Sequence, residues 1–114
     1  MAKNRYVGSY PVIGIRPIID GRRGPMKLRE SLESQVRAMA EAAKKLFEDT
    51  LYYSNGDHVK VVIADSTIGR VPESAACAEK FRREGVPITL SVTPCWCYGS
   101  ETMDMDPMTI KGVW

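Results

Sequence analysis

Two thiols, an indole and a phenol stand at four consecutive positions, Cys95 to Tyr98, within the stretch TPCWCYGSE. Side chains of these types bind metals, exchange disulfides or cover the apolar face of a sugar. A structural zinc needs four ligands, and the single histidine, His58, begins a predicted strand at its opposite, amino end. A disulfide between Cys95 and Cys97 would be strained, which disfavours a redox pair. For Trp96 two interpretations stay open, a packing cap and a platform for a ligand.

Composition limits the classes of protein to consider. The chain has 114 residues, three cysteines and a net charge of +2, with acidic residues spread among the basic ones. This length suits one domain, and the charge pattern argues against a nucleic-acid surface, where basic residues cluster. An odd number of cysteines does not form a disulfide framework, so we expect reduced thiols, with Cys77 a small buried residue. No apolar run of membrane-spanning length and no signal-peptide pattern is present, so we expect a cytoplasmic protein.

Apolar spacing predicts the elements that would position these side chains. A polar arm over residues 1–11 precedes a short β-type run, Val12–Arg16. A helix of roughly 24 residues follows, because apolar positions recur at steps of three and four. These positions are Leu28, Leu32, Val36, Met39, Ala43 and Leu46.

The second half of the chain continues the alternation. The run His58–Asp65 is β-branched and predicts a strand buried on both faces. Pro72 suits the first turn of a second helix, which carries Phe81, and Gly85 suits its C-terminal cap. A third strand, Ile88–Thr93, is stopped by a proline.

The order strand–helix–strand–helix–strand predicts an α/β fold, namely a partial doubly wound (Rossmann-like) parallel sheet with right-handed crossovers. We assign residues 12–114 to this domain. Doubly wound domains usually have five or six strands, whereas three are predicted here. After residue 101 no further helix is predicted. The domain therefore looks incomplete, like the first half of something larger.

Ligands of such sheets bind beyond the carboxyl ends of the strands. Three polar or aromatic loops meet that edge: Asp20–Arg23, Asp65–Thr67 and Pro94–Glu101. Arg22 and Arg23 are donor-only groups that suit anionic or polyhydroxyl ligands, although a solvated turn is the commoner position for such residues. The other candidates are carboxylates whose spacing matches no metal-binding loop, so surface positions are the default. They are Asp65, Glu101, Asp104 and Asp106.

Four segments, IGIRPIIDGRRG, RESLESQ, AACAEKF and VTPCWCYGSETMDMDP, together resemble the N-terminal part of the bacterial L-fucose isomerase family. The resemblance runs from about Val12 to Pro107, and the last segment is long and unusual in composition. It covers only the start of the family's proteins, which are several times longer. The link Gly24–Arg29 is slightly longer and more proline-bearing than the family's usual connection, which leaves the course of the Arg22 loop open.

The resemblance implies an aldose–ketose isomerase that interconverts L-fucose with L-fuculose, and D-arabinose with D-ribulose, through an ene-diol. It implies a Mn²⁺ ion whose ligands lie in later domains, and a cytoplasmic hexamer in which this domain reaches a neighbouring subunit's pocket. By motif position, Arg22 and Trp96 correspond to sugar contacts, which favours the platform interpretation of Trp96. No residue here corresponds to a catalytic group or a metal ligand.

These implications lead to one main hypothesis and two alternatives. We expect part of an isomerase that is inactive as a 114-residue chain, because the metal ligands are missing. The first alternative is a stand-alone flavodoxin-like or sugar-binding domain with its whole site in one chain. The second is a redox protein, which would need a thiolate of depressed pKa at Cys95 or Cys97.

Overall fold

The computed structural model describes residues 10–21, 28–93 and 110–113, the last four through their backbone. Strands and helices alternate along these residues. They are β1 (Ile13–Pro17), α1 (Leu28–Thr50), β2 (Val61–Ile63), α2 (Val71–Arg83), β3 (Ile88–Val92) and β4 (Ile110–Val113). The predicted order of the first five elements is confirmed.

The strands form one parallel sheet in the order β2-β1-β3-β4. This order confirms the doubly wound α/β fold. The prediction of three strands was wrong, because β4 pairs with β3 and places Ile110 beside Ile88. Its sequence, IKGV, is short and contains a glycine, so its own pattern does not indicate a strand and only the pairing identifies it. With β4 in place, β3 is an interior strand of the sheet.

One face of the sheet is covered by α1. Val36, Ala40 and Ala43 are buried, and Ala40 and Ala43 pack in a cluster with Ile15 of β1. The predicted stripe was wrong at Leu46, whose exposed fraction is 54%. One residue turns a helix by about 100°, so the buried stripe continues from Ala43 to the half-buried Phe47 and leaves position 46 on the solvent side.

The other face of the sheet is covered by α2 through Phe81, which is 2% exposed. Its ring packs with Ile18, Ile68 and Cys77. Gly14 of β1 lies directly under the ring, since a Cβ there would be 2.6 Å from Phe81 Cε2. The predicted helix start and stop are also present, with Pro72 in the first turn and Gly85 just beyond the end at a φ of 67°.

Strand β2 is shorter than the predicted His58–Asp65. His58 instead forms an isolated antiparallel bridge with Tyr52, within the turn that follows α1. The Tyr53 hydroxyl donates to the Pro11 carbonyl at 2.5 Å, which ties this turn to the residues just before β1. Among the described residues, no helix has the length and apolar character needed to cross a bilayer.

Candidate functional site

The direction of strand addition reverses between β1 and β3. The connection through α1 leads from β1 to β2, and the connection through α2 leads back past β1 to β3. Doubly wound sheets hold their ligands at this point, outside the carboxyl ends of the strands. Pro17 pairs with Val92, and the Ile18 N–H donates to the Val92 carbonyl at 2.9 Å. The chain therefore leaves β1 and β3 side by side at the switch point.

The predicted sugar contacts Arg22 and Trp96 themselves lie outside the described residues. The same holds for the other candidates that the sequence marked in those two loops and just after the second. These are Arg23, Cys95, Cys97, Glu101, Asp104 and Asp106. The structure describes the residues just before them, Gly21 and Thr93, which follow the carboxyl ends of the parallel strands β1 and β3.

Gly21, the residue before Arg22, is buried in close contact with Gly69, which precedes α2. A Cβ at position 21 would lie 2.0 Å from the Gly69 carbonyl oxygen, and a Cβ at position 69 would lie 2.7 Å from the Gly21 Cα. Only glycine at both positions permits this approach of the two backbones. The Arg70 guanidinium adds a hydrogen bond, with Nε donating to the Gly21 carbonyl at 2.9 Å.

A partly buried ion pair lies at the start of α1. Arg29, in the first turn of α1, is 4% exposed, and its Nη2 donates to Glu73 Oε2 at 2.5 Å. The same nitrogen is 3.2 Å from the carbonyl and the hydroxyl of Thr67, and that hydroxyl also donates to Glu33. A second nitrogen, Arg29 Nη1, is buried and has no hydrogen-bond partner among the described residues.

Glu73 connects this pair to the start of α2. Its Oε1 accepts the N–H of Gly69 at 2.9 Å and that of Arg70 at 3.1 Å. Burial acts to raise the pKa of Glu73, but the hydrogen bonds from Arg29 and from the two amides outweigh it and hold the pKa below its ordinary value. The carboxylate therefore stays charged and holds three donors at once.

Arg16 is a charged residue within β1 that the sequence analysis did not single out. It is 3% exposed, and its guanidinium donates to Ser91 Oγ on β3 at 2.8 Å and to Ser74 Oγ on α2 at 3.1 Å. The sequence does contain a signal for this contact, because an arginine within a buried strand is rare unless its charge is paired. Its partners could not be named in advance, because they are far away in sequence. Arg16 ties β1, β3 and α2 together beside the switch point.

The third predicted loop, which begins at Asp65, also lies at the carboxyl edge of the sheet, and its Thr67 contacts Arg29. The loop follows β2, which β1 separates from β3. The Asp65 side chain is 81% exposed and pairs with Lys80 Nζ at 2.7 Å. That hydrogen bond lowers the pKa of Asp65. The structure therefore agrees with the default surface position for this carboxylate and does not bring it to the switch point.

Two further candidates have structural positions. His58 Nδ1 forms a hydrogen bond with the Glu48 carbonyl, at the amino end of β2 and so at the opposite edge of the sheet. Cys77 is buried on α2, as predicted, and burial raises the pKa of its thiol to about 11 despite the nearby Arg16 charge. A thiol of that pKa is protonated at neutral pH and is a poor nucleophile.

Comparison with known proteins identifies the family of this domain. Residues 10–114 match the family described as "L-fucose isomerase, first N-terminal domain". The chain is 61% identical over 105 residues to an L-fucose isomerase of Phocaeicola vulgatus and 58% identical over 105 residues to one of Bacteroides thetaiotaomicron. It is 57% identical over 102 residues to an L-fucose isomerase of Haemophilus influenzae. These matches cover 90–92% of this chain and 17% of each relative.

A family match over nearly the whole chain confirms the resemblance read from the four sequence segments. The chain belongs to the L-fucose isomerase family, as its first N-terminal domain.

Proposed function

We propose that this chain is the sugar-contacting N-terminal part of an L-fucose isomerase, and that Arg22 and Trp96 touch the substrate. The observation that carries the proposal is the pairing of Pro17 with Val92 at the switch point of the sheet. Arg22 lies five residues after Pro17 and Trp96 four residues after Val92. Each residue is therefore separated by only a few positions of sequence from the sheet edge where doubly wound folds bind ligands.

The two side chains have complementary chemistry for a sugar. A guanidinium presents several N–H donors and no acceptor, so Arg22 would hold hydroxyl or carbonyl oxygens. An indole presents a large apolar face, so Trp96 would cover the C–H face of the sugar. The substrates would be L-fucose and L-fuculose, and also D-arabinose and D-ribulose. The reaction would be aldose–ketose isomerisation through an ene-diol.

The reaction in this family would use Mn²⁺, which as a Lewis acid polarises the sugar carbonyl and stabilises the developing oxyanion. The described residues do not fit such an ion. No three His, Cys, Asp or Glu side chains among them lie close enough together to hold a metal. The ligands would belong to parts of the protein beyond this domain, so this domain would position the sugar without binding the metal.

The assembly follows from the same proposal. This chain spans 17% of the length of its relatives, so most of the pocket would come from other domains. The protein would be a cytoplasmic hexamer, in which the edge bearing Arg22 and Trp96 completes a neighbouring subunit's site.

Substitution in the full-length protein tests the sugar contacts. Arg22→Ala and Trp96→Ala are each expected to raise the KM for L-fucose about tenfold, since one lost contact of this kind is worth about 1–2 kcal/mol. The affinity for Mn²⁺, measured by titration calorimetry, should not change. Arg82→Ala is the matched control, because Arg82 is an exposed arginine of α2 that contacts Glu79. Loss of Mn²⁺ from the Trp96 variant would contradict the proposed role.

The chain of 114 residues is expected to be inactive alone. Purified with Mn²⁺ and L-fucose, it should form no L-fuculose above the rate without protein, because the metal ligands lie elsewhere. The full-length protein is the positive control. Metal-dependent fuculose formation by the isolated chain would disprove the proposed division of the site between domains.

A further inference from the structure

The α1 face of the sheet is covered less completely at β3 than at β1 and β2. Helix α1 packs mainly on β1 and β2, and on this face Leu90 of β3 is only half-buried. The opposite face of β3 is closed, since Thr89 and Ser91 are 4% and 2% exposed and Ser91 accepts a hydrogen bond from Arg16. Strands of a parallel sheet are normally buried on both faces. Among the described residues, β3 therefore lacks part of its cover on the α1 side.

An apolar groove lies over this part of β3. It has a volume of about 220 Å³ and is lined by Ala43, Leu46, Phe47 and Leu90. Ala43 is buried and Phe47 is half-buried, whereas Leu46 is 54% exposed and forms the outer rim of the groove. On β4 the residue beside Leu90 is Gly112, which has no side chain to fill the groove from that direction. The groove is therefore open to apolar side chains from outside these elements.

The space beside α1 has room for one helix. Neighbouring strands lie about 4.8 Å apart and packed helices about 8–10 Å apart, so one helix covers about two strands. Helix α1 takes the place over β2 and β1, which leaves the place over β3 and β4. Next to Leu46 the surface of α1 is charged, because Lys45 and Asp49 form an ion pair whose side chains are 78% and 56% exposed. The apolar surface is therefore a narrow stripe, smaller than the roughly 800 Å² per partner of a stable dimer.

The direction of the crossovers indicates where such a helix comes from. Right-handed connections place α1 on one face as the chain moves from β1 to β2, and α2 on the other as the chain moves back to β3. A crossover leading outward from β4 continues in the direction of α2 and so lies on the α2 face. A helix over the groove therefore belongs to a later segment that returns to the α1 face. This chain matches the first N-terminal domain of its family and spans 17% of its relatives, which leaves ample polypeptide for that segment.

We infer that the groove is the docking site for an amphipathic helix from the part of the full-length protein beyond residue 114. This helix packs beside α1 over β3 and β4. It presents apolar side chains, spaced three and four residues apart, to Phe47 and Leu90, and its polar face points to the solvent. The docked helix completes the second layer over β3 and links this domain to the rest of the protein. The inference does not depend on the proposed sugar contacts.

Thiol labelling of the full-length protein tests whether the groove is covered. The thiol of Leu46→Cys should react with a charged maleimide at least about tenfold more slowly than that of Lys45→Cys, since a thiol under a docked helix reacts only when the helix lifts. Lys45→Cys is the matched control, because position 45 is the preceding residue of α1 and its side chain is 78% exposed. Mass spectrometry of the peptide that carries the new thiol separates its reaction from that of the native cysteines. Equal rates would overturn the inference, and slow labelling at both positions would replace the single helix with a broad interface.

Photo-cross-linking from position 46 identifies the occupant. With p-benzoylphenylalanine in place of Leu46, we expect a cross-link within one polypeptide to a segment beyond residue 114, located by mass spectrometry of the digest. A cross-link between two chains, which doubles the mass on a denaturing gel, would show that a second copy covers the groove and would overturn the inference. A cross-link only to residues 1–27 or 94–109 would overturn it too, because this domain would then close its own groove. The same photoreactive residue in place of Lys45 is the control and should not cross-link to the later segment.

Discussion

Replacing Phe81 with alanine is expected to lower the free energy of unfolding of this domain by about 3–5 kcal/mol, the range for deleting a buried aromatic ring. Phe81 is 2% exposed and is the largest fully buried side chain of the described residues. It packs on Ile18, Ile68 and Val86, and its ring covers Gly14 of β1. Among the described residues, no other aromatic side chain belongs to this cluster.

The size of the effect depends on whether the surroundings can collapse into the cavity. Collapse is opposed at the far end of α2, where Ser74 binds Arg16 and Glu73 binds Arg29. These polar contacts fix the distance of the helix from the sheet. We therefore expect a cost near the upper end of the range.

Hydrogen exchange of the β1 and β3 amides in the intact protein measures this change as a free energy of opening. Leu46→Ala is the control, because it removes a large apolar side chain that is 54% exposed and should cost less than about 1 kcal/mol. Gly14→Ala should also destabilise, by about 1–3 kcal/mol, through overpacking against the ring. A cost below about 1 kcal/mol for Phe81→Ala would mean that this ring does not hold α2 to the sheet.

Local pattern was sufficient to predict the fold class. The bounds of α2 are predictable from Pro72 at its start and from Gly85 just beyond its end. The φ of Gly85 is 67°, a conformation that favours glycine. The helix α1 follows from its apolar spacing, except at Leu46. These signals lie within one or two turns of the chain, so they are readable without knowing the tertiary structure.

The contacts around the site were not predictable in the same way. Arg16 meets Ser91 across 75 positions of sequence, and Arg29 meets Glu73 across 44. The first pair forms because the sheet order places β1 beside β3, and the second forms because α1 and α2 both start at the carboxyl edge of the sheet. Strand β4 was not predictable for the same reason. It has four residues including a glycine, so only its pairing with β3 identifies it as a strand. The roles of Arg22 and Trp96 remain predictions from the family resemblance.

Replacing Glu73 with alanine is the second substitution with a large expected effect, about 2–4 kcal/mol. Removing one member of a buried ion pair costs about 3–5 kcal/mol, because the other charge is left without its partner. The Glu73 side chain is 27% exposed, which reduces that cost, while Arg29 is almost fully buried. Loss of the acceptor for the Gly69 and Arg70 amides at the start of α2 adds about 1 kcal/mol.

The contribution of Glu73 to the free energy of unfolding should decrease at acid pH. The pKa of Glu73 is lower in the folded protein than in the unfolded chain, where a glutamate titrates at about 4.3. A lowered pKa stabilises the fold above the unfolded value, and the stabilisation is lost as the pH falls through the folded value. The difference in opening free energy between the parent and Glu73→Gln should therefore be constant near neutral pH and shrink in the acid range. Glu79→Gln, on the exposed side of the same helix, is the control.

A double substitution decides whether the ion pair or the helix start carries the Glu73 effect. If the cost comes from leaving Arg29 charged and unpaired, then Arg29→Leu combined with Glu73→Leu should be more stable than Glu73→Leu alone, because the buried charge is removed. If the cost comes from the amides of Gly69 and Arg70, the second substitution should give no recovery. The geometry favours the first result, since Arg29 is buried and its remaining acidic partner, Glu33, lies at 3.5 Å with an exposed fraction of 39%. Recovery of less than about 0.5 kcal/mol would assign the effect of Glu73 to the start of α2.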